Sequence, residues 1–223
     1  MSWNKQRPIV KLAHRGAMLT HPENTLRAFK ASIDAGFDGV ELDVRACKTG
    51  ELVVFHDADL ERLAGRPERI HDLALDEIQS VKIQGEPIPL LKDVLKKLPN
   101  DCIIAIELKE SLADEVLAAV KTAKQTLIIG SKDRQTVKQL STAKTAHSIV
   151  FITAWHVILT MSMLQQLGAD TVFLHHRIAS WFNIRSAKRS GVAVYCYPVR
   201  NRLIEGILKS HAVDGLLYDR KLS

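Results

Sequence analysis

The sequence predicts an α/β protein folded as a compact (β/α)8 TIM barrel, with a β-hairpin after the second barrel strand. Short apolar runs rich in β-branched residues recur along the 223 residues, and amphipathic helical patterns fill most of the gaps between them. No change in composition divides the chain, so we expect residues 1–223 to form one domain. Eight of the runs can be parallel strands, the number that a closed barrel needs. A doubly wound open sheet is the alternative architecture.

Nine runs are predicted to be strands: Ile9–Ala13, Gly39–Val44, Leu52–His56, Ile103–Leu108, Leu127–Ser131, Ser148–Thr153, Thr171–His175, Ala193–Tyr197 and Gly215–Tyr218. Helical periodicity is predicted over Thr25–Ala35, Leu112–Lys124, Arg134–Ala143, Ile158–Leu167, Ile178–Ser190 and Leu203–Ser210. In the first helix, Asn24 is a candidate N-cap and Gly36 a candidate C-cap.

The second and third strands are too close in sequence for a parallel crossover, which takes about a dozen residues or more. Thr49 and Gly50 lie between them and are typical of a turn, so we expect an antiparallel hairpin. Symmetric pairing about this turn would place Asp43 opposite His56, with Glu41 on the same face as Asp43.

The charge balance suits anionic partners without choosing among them. Lys and Arg number 31 and Asp and Glu number 25, which gives a net charge of +6. The basic residues are interpreted as spread along the chain without interleaved aromatics, so we expect no nucleic-acid partner. A non-catalytic module that binds nucleic acid or a membrane surface is the alternative from another functional class.

The cysteine pattern favours a reducing compartment. The three cysteines are widely spaced and form no CxxC pair, and the first residues lack the apolar core of a signal peptide, so we expect a cytoplasmic protein. Residues 145–169 contain no Asp, Glu, Lys or Arg, which raises the question of weak membrane contact. Polar residues interrupt this segment repeatedly, and we interpret it as a buried strand, a loop and an amphipathic helix.

Polar residues stand at the C-terminal ends of four runs that otherwise predict buried strands. They are His14 and Arg15, Glu41 and Asp43, His56, and Glu107 and Lys109. In a barrel these ends meet on the face that carries active sites. Three carboxylates, Glu41, Asp43 and Glu107, suit a hard divalent ion such as Mg²⁺ or Ca²⁺.

The remaining residues of this group suit the chemistry of a phosphate ester. Arg15 and Lys109 would hold phosphate, the first through its planar fork and the second as a point charge. His14 and His56 could flank the phosphorus, one as a general base and the other as a general acid. The sequence therefore predicts a metal-dependent phosphodiesterase.

The same residues lie in motifs that resemble those of the glycerophosphodiester phosphodiesterase family, within the phospholipase-C-like barrel superfamily. The first half of the chain carries the most specific matches: His14-Arg15-Gly16, Pro22-Glu23-Asn24-Thr25, Asp38–Val44, Val53–Asp57, Ile88-Pro89-Leu90 and Glu107-Leu108-Lys109. Weaker matches in the second half are Tyr197–Asn201 and Asp214–Arg220.

The resemblance implies hydrolysis of glycerophosphodiesters, small-molecule substrates, to sn-glycerol 3-phosphate and an alcohol. It implies that His14 and His56 act as general base and acid, that the three carboxylates bind Mg²⁺ or Ca²⁺, and that Arg15 and Lys109 contact phosphate. A lysophospholipase D or a phospholipase-C-like enzyme acting on lipid substrates through the same site is the alternative. The sequence leaves the oligomeric state open.

Three positions depart from the pattern of the resembled family. Tyr197 stands where the family usually has a tryptophan that forms an aromatic wall beside the glycerol or the leaving group. Lys132 stands where a phenylalanine is usual, and Tyr218 where a threonine is usual. These departures bear on the choice of leaving group rather than on the expected metal ligands or histidines.

Overall fold

The computed structural model describes residues 8–143, 145–154 and 160–222. Eleven strands lie within these ranges: β1 (Val10–His14), β2 (Gly39–Ala46), β3 (Leu52–Val54), β4 (Lys82–Ile83), β5 (Glu86–Pro87), β6 (Ile103–Leu108), β7 (Thr126–Ser131), β8 (Ser148–Ile152), β9 (Thr171–His175), β10 (Ala193–Val199) and β11 (Gly215–Tyr218). Eight of them, β1, β2 and β6 to β11, are parallel neighbours in a ring that closes because β1 pairs with both β2 and β11. The closed barrel is confirmed and the open sheet is wrong.

Helices occupy most of the connections between strands. Within the described ranges they are α1 (Leu26–Asp34), α2 (Glu61–Ala64), a 3-10 turn (Ile70–Asp72), α3 (Leu75–Ser80), α4 (Leu91–Lys97), α5 (Ala113–Ala119), α6 (Arg134–Thr142), α7 (Met161–Leu167), α8 (Trp181–Arg189) and α9 (Arg202–Ser210). The N-cap of α1 is Thr25, whose hydroxyl accepts a hydrogen bond from the Ala28 amide at 3.2 Å. The prediction of Asn24 as the cap is wrong, because its side chain turns toward Asp43 instead.

The alternation of side chains along each strand separates two cores. Side chains that point into the barrel pack together at its centre, and they are Leu12, Ala105, Ile128, Val150, Ile152, Phe173, Tyr195 and Leu217. A larger set packs between the outer strand faces and the helices. The pairing register sets His14 beside Glu41, and Asp43 beside Glu107, at the C-terminal end of the barrel. Polar groups therefore form the layer above the inner apolar core.

The hairpin after the second barrel strand is present, but its register differs from the expected one. β3 pairs antiparallel with β2 so that Val44 faces Val54, and the Phe55 amide donates to the Asp43 carbonyl. Asp43 is therefore opposite Phe55 rather than His56. The difference arises because the turn holds three residues instead of two, and Gly50, at φ 92°, adopts the left-handed conformation that closes it.

The connection from the hairpin to α4 carries its own apolar cluster, which packs beside the barrel. Its buried members are Cys47, Val53, Phe55, Leu60, Ile70, Leu73, Ile78, Val81, Ile83, Ile88 and Leu90. The Val54 amide donates to the Pro89 carbonyl at 2.8 Å, so the cluster is tied to the free edge of β3. The short elements α2, α3, β4 and β5 lie in this connection, and their few residues give too little periodicity for sequence prediction.

The segment without charged residues, 145–169, contains β8 and α7. The side chains of Ile149, Val150 and Phe151 are buried, as expected for a barrel strand. The predicted start of the following helix at Ile158 lies outside the described residues. Across the part of the chain that is described, no helix has the length and apolar character needed to cross a membrane.

Candidate active site

Three buried carboxylates meet at the C-terminal end of the barrel. Glu41 and Asp43 project inward from β2 because residues two apart share a strand face, and Glu107 projects from the neighbouring β6. Each offers an oxygen that lies within 4.8 Å of the other two. The three residues are 2%, 0% and 6% exposed, so water does little to offset their mutual repulsion.

The surroundings of Asp43 test whether this cluster fits a cation. The Asn24 side-chain amide donates to Asp43 Oδ2 at 2.8 Å, and Arg15 Nε lies 3.4 Å from the same oxygen. The other oxygen, Oδ1, is buried and accepts no hydrogen bond from any described residue, although Lys109 Nζ lies 3.4 Å away. A buried carboxylate oxygen without a hydrogen bond, beside two further carboxylates, fits a hard divalent ion such as Mg²⁺ or Ca²⁺.

The other two carboxylates have opposite electrostatic surroundings. Burial, followed by the negative charges of Asp43 and Glu107, raises the pKa of Glu41 above its usual range. Burial would also raise the pKa of Glu107, but the positive charges of Lys132 and Lys109 outweigh it and hold that pKa below its usual range. The surroundings therefore favour the protonated form of Glu41 and the ionised form of Glu107.

His14 is fixed in orientation by a carboxylate on the adjacent β11 side of the barrel. Its Nδ1 lies 2.6 Å from Asp219 Oδ1, and Asp219 Oδ2 accepts from Arg200 Nε at 3.1 Å. Its Nε2 lies 3.8 Å from Glu41 Oε2 and thus faces the carboxylate cluster. Burial lowers the pKa of His14, but Glu41 and Asp219 outweigh this effect, and the net shift is upward.

His56 is held in the same manner by its neighbour in sequence. Its Nδ1 lies 2.6 Å from Asp57 Oδ1, and Asp57 Oδ2 accepts from Arg62 Nε at 2.6 Å. Arg62 also donates to both oxygens of Glu23, at 2.7 and 2.9 Å. Burial is the largest cause of the lowered pKa of His56, and the positive charges of Arg15 and Lys109 add to it. The two histidines are therefore shifted in opposite directions.

Arg15 reaches the site through an unusual backbone conformation. Its φ of 57° is left-handed, and its amide donates both to the carbonyl of Glu41 at 2.9 Å and to the side chain of Glu41 at 3.1 Å. Gly16 follows at φ 84°, where an added Cβ would lie 2.8 Å from Ala28 of α1. Arg15 also pairs with Glu23 at 3.0 Å, while its buried Nε has no hydrogen-bond partner among the described residues.

Two lysines share one oxygen of Glu107. Lys109 Nζ and Lys132 Nζ each lie 2.8 Å from Glu107 Oε1. The side chain of Lys109 is 11% exposed and that of Lys132 is 43% exposed, so Lys132 approaches the carboxylate from the solvent side. Lys132, one of the three residues that depart from the pattern of the resembled family, is therefore in direct contact with the carboxylate cluster.

Aromatic and imidazole rings form the opposite wall of the site. The Tyr197 hydroxyl donates to the Thr153 carbonyl, and its ring packs edge-on against His175, with 5.5 Å between centroids. The ring centroids of Tyr197 and His14 are 6.2 Å apart. Burial, then His176, Arg177, Arg200 and Lys132, lowers the pKa of His175 to about 4. Tyr218 lies on the outer face of the barrel, where its hydroxyl donates to Glu205, so this third departure does not line the site.

A closed barrel with carboxylates and histidines at its C-terminal end is in agreement with the comparisons of this chain with known proteins. The model of the glycerophosphoryl diester phosphodiesterase family matches residues 14–222. The chain belongs to this family. All of the residues expected from the sequence at its active site, from His14 to Tyr197, lie on the C-terminal side of the barrel.

Relatives in the glycerophosphoryl diester phosphodiesterase family match along most of the chain. A glycerophosphodiester phosphodiesterase of Caldanaerobacter subterraneus subsp. tengcongensis is 28% identical over 237 aligned residues, covering 93% of each protein. The crystal structure of a glycerophosphodiester phosphodiesterase from Thermotoga maritima is 28% identical, covers 95% of each chain and superposes with a TM-score of 0.85. An Oleispira antarctica phosphodiesterase, solved in complex with the product sn-glycerol-3-phosphate, shares the fold at 21% identity and a TM-score of 0.88, covering 96% of this chain and 94% of that one.

The structure adds residues that sequence reasoning did not include among the candidate site residues of this family member. Asp219 and Asp57 hold the two histidines, Asn24 holds Asp43, and Lys132 contacts Glu107. Asp57 and Asp219 each directly follow a run ending in His56 or Tyr218, which is a usable signal. The role of Asn24 has no such signal, because it depends on a contact across 19 residues of sequence.

Proposed function

We propose that the protein hydrolyses glycerophosphodiesters to sn-glycerol 3-phosphate and an alcohol, and that it requires a divalent ion. The observation that carries this proposal is the meeting of Glu41, Asp43 and Glu107 within 4.8 Å beside two histidines that are each fixed by a carboxylate. Membership of the family supports the reaction. The fold shared with a phosphodiesterase that binds sn-glycerol-3-phosphate is consistent with it.

Glu41, Asp43 and Glu107 would hold the ion, for which Mg²⁺ and Ca²⁺ are the candidates. When bound, the ion supplies a positive charge that stabilises the charge developing on the phosphoryl oxygens. Asp43 Oδ1 accepts no hydrogen bond from any described residue, and this, together with the raised pKa of Glu41, supports a cation at this position. Zinc is less favoured because no sulfur ligand takes part.

Arg15 and Lys109 would bind the phosphate of the substrate. Arg15 Nε is buried without a hydrogen-bond partner among the described residues, so it can donate to a phosphate oxygen at no loss of an existing bond. Lys109 lies between Glu107 and Asp43 and would place its positive charge on the same group. Tyr197 and His175 would form the wall beside the glycerol or the leaving group.

His14 and His56 would move the protons of the reaction. The Nδ1 atoms of both rings are held by carboxylates, which leaves Nε2 of each ring for substrate. One histidine takes the proton of the attacking hydroxyl as its oxygen bonds to phosphorus, and the other gives a proton to the departing alcohol oxygen as its bond to phosphorus breaks. The attacking group is either water or the adjacent glycerol hydroxyl. Attack by the glycerol hydroxyl would form a cyclic phosphate, which water then opens.

The test is release of sn-glycerol 3-phosphate from glycerophosphocholine by the metal-loaded protein, by the EDTA-treated protein, and after Mg²⁺ or Ca²⁺ is restored. We expect chelation to abolish turnover and His14→Ala to lower kcat by about 10²- to 10⁴-fold. His71→Ala, which changes an exposed histidine on the 3-10 turn, is the matched control and should leave kcat unchanged. Activity that withstands both EDTA and His14→Ala would refute the proposal.

A second candidate activity acts on lipid substrates through the same site, as a lysophospholipase D or a phospholipase-C-like enzyme. It is favoured by three exposed apolar side chains, Trp181, Phe182 and Leu203, which begin helices at the C-terminal end of the barrel. The two activities are separated by comparing kcat/KM for lysophosphatidylcholine with that for glycerophosphocholine. A higher value for the lysolipid favours lipid substrates, and a higher value for the soluble diester favours the first proposal.

A further inference from the structure

The positive charge of the protein is concentrated in one segment. Residues 176–210 contain seven of the 31 Lys and Arg residues and one of the 25 Asp and Glu residues. Their net charge of +6 equals that of the whole chain, so the remaining residues are balanced. The excess arises mainly because this segment has few acidic residues, while the other 24 Lys and Arg residues are spread along the rest of the chain. The acidic member, Glu205, is buried and is bound by Lys209, Arg220 and Tyr218.

The same segment exposes large apolar side chains. Trp181 is 57% exposed, Phe182 is 73% exposed and Leu203 is 74% exposed. Single exposed apolar residues are common on protein surfaces, but a group of three next to basic residues is not explained in that way. Such a combination of aromatic and basic side chains is typical of surfaces that lie at a membrane interface.

The fold places these residues together at the catalytic end of the barrel. Helix α8 begins at Trp181 after strand β9, and α9 begins at Arg202 after strand β10. Strands β9 and β10 are neighbours, and each helix starts at the end where the preceding strand finishes. We call the exposed residues at these two helix starts the basic-aromatic rim, and its members are Arg177, Trp181, Phe182, Arg185, Arg200, Arg202 and Leu203.

The rim adjoins the candidate active site directly. Arg200 pairs with Asp219, which holds His14, and the positive charges of Arg177 and Arg200 contribute to the lowered pKa of His175. A surface bound by the rim would therefore lie at the mouth of the barrel, where substrate enters. We propose that the rim binds membranes that contain anionic phospholipid, which holds the active site against the lipid surface.

The side-chain contacts favour a lipid surface over a nucleic acid. The Arg185 guanidinium lies over the Trp181 ring, 5.1 Å from its centroid, so this ring face is not free to stack on a base. Phe182 and Leu203 stay exposed and can enter the apolar part of the interface, while the arginines meet lipid phosphates. A nucleic acid would satisfy the arginines but would leave Leu203 without an apolar partner.

The test is flotation of the full chain with vesicles of phosphatidylcholine alone and of phosphatidylcholine mixed with phosphatidylglycerol. We expect binding to the anionic vesicles, weaker binding as salt is raised, and little binding to neutral vesicles. The double variant Trp181→Ser/Phe182→Ser should lower the partition coefficient about tenfold or more, since the apolar contact is lost. Arg185→Gln/Arg202→Gln should lower it about tenfold as well, through the loss of two charges.

The matched control is Lys96→Gln/Lys97→Gln, which removes the same charge from the last turn of α4, at the opposite end of the barrel. It should bind vesicles as the unchanged protein does. Hydrolysis of soluble glycerophosphocholine should be the same in all these variants, so that vesicle binding and the proposed reaction are measured separately. The proposal is overturned if the protein does not bind anionic vesicles, or if the control variant loses binding to the same extent. It is also overturned if the unchanged protein binds an oligonucleotide more tightly than the vesicles and the rim variants lose that binding.

Discussion

Lys132 offers a sharp test of the electrostatics of the carboxylate cluster. Its Nζ lies 2.8 Å from Glu107 Oε1, an oxygen that it shares with Lys109. A divalent ion that takes Glu107 as a ligand must compete with this ammonium group. We therefore expect Lys132→Met, which keeps much of the stem and removes the charge, to strengthen metal binding.

The size of the effect follows from the exposure of the two partners. The side chain of Lys132 is 43% exposed, so solvent screens its charge, and ion pairs of this kind contribute about 0.2–1 kcal/mol. The side chain of Glu107 is only 7% exposed, which favours the upper end of this range. A gain of about 1 kcal/mol corresponds to a metal Kd lower by about fivefold.

The assay is calorimetric titration of the metal-free protein with Mg²⁺ or Mn²⁺. The matched control is Lys138→Met, which removes an exposed lysine from helix α6 and changes the net charge by the same amount. We expect a lower Kd for Lys132→Met alone. An unchanged Kd would show that Lys132 does not compete for Glu107, and a higher Kd would show that it positions this carboxylate for the ion.

Three further predictions concern the histidines, the buried carboxylate and the barrel core. Asp57→Asn removes the hydrogen bond that raises the pKa of His56. The limb of the kcat-against-pH profile that His56 sets should therefore move to lower pH. A profile in which neither limb moves would contradict this. Movement of the acidic limb would assign His56 as the base, and movement of the alkaline limb as the acid. Asn24→Ala leaves Asp43 without its buried donor and should lower the unfolding free energy by about 1–3 kcal/mol in denaturant titrations. Saturating metal should make this destabilisation smaller, and addition of EDTA should return it to its full size. Gly130→Ala would place a Cβ 1.8 Å from a carbonyl oxygen of β8 and should cost about 3 kcal/mol or more, whereas a Tm within a few degrees of the unchanged protein would refute the close packing.

Several features of the site were predictable because they depend on neighbours in sequence. The alternation Glu41, Leu42, Asp43 places both carboxylates on one face of any strand, whatever lies around it. The ends of parallel strands meet in any closed barrel, so the convergence of His14 and Glu107 on these carboxylates also followed. These predictions needed only the periodicity of a strand and the number of strands.

Other features required the distances of the folded chain. The predicted hairpin register was wrong by one residue, because the sequence around Gly50 is compatible with a two-residue turn and with a three-residue turn. Asn24 has the sequence signature of a helix cap, yet Thr25 takes that place and Asn24 bonds to Asp43. In each case the local sequence is compatible with two structures, and only the folded chain shows which of them forms.

The sequence by itself determined the barrel, the set of carboxylates and histidines, and the total charge of +6. These depend on composition and short-range periodicity, which every conformation of the chain shares. The tertiary structure decided which groups meet in space: Asp219 holds His14, Lys132 contacts Glu107, and the starts of two helices form one basic-aromatic rim. The reason is that electrostatic and apolar contacts depend on distance in space, and closing the barrel brings its first and last strands together.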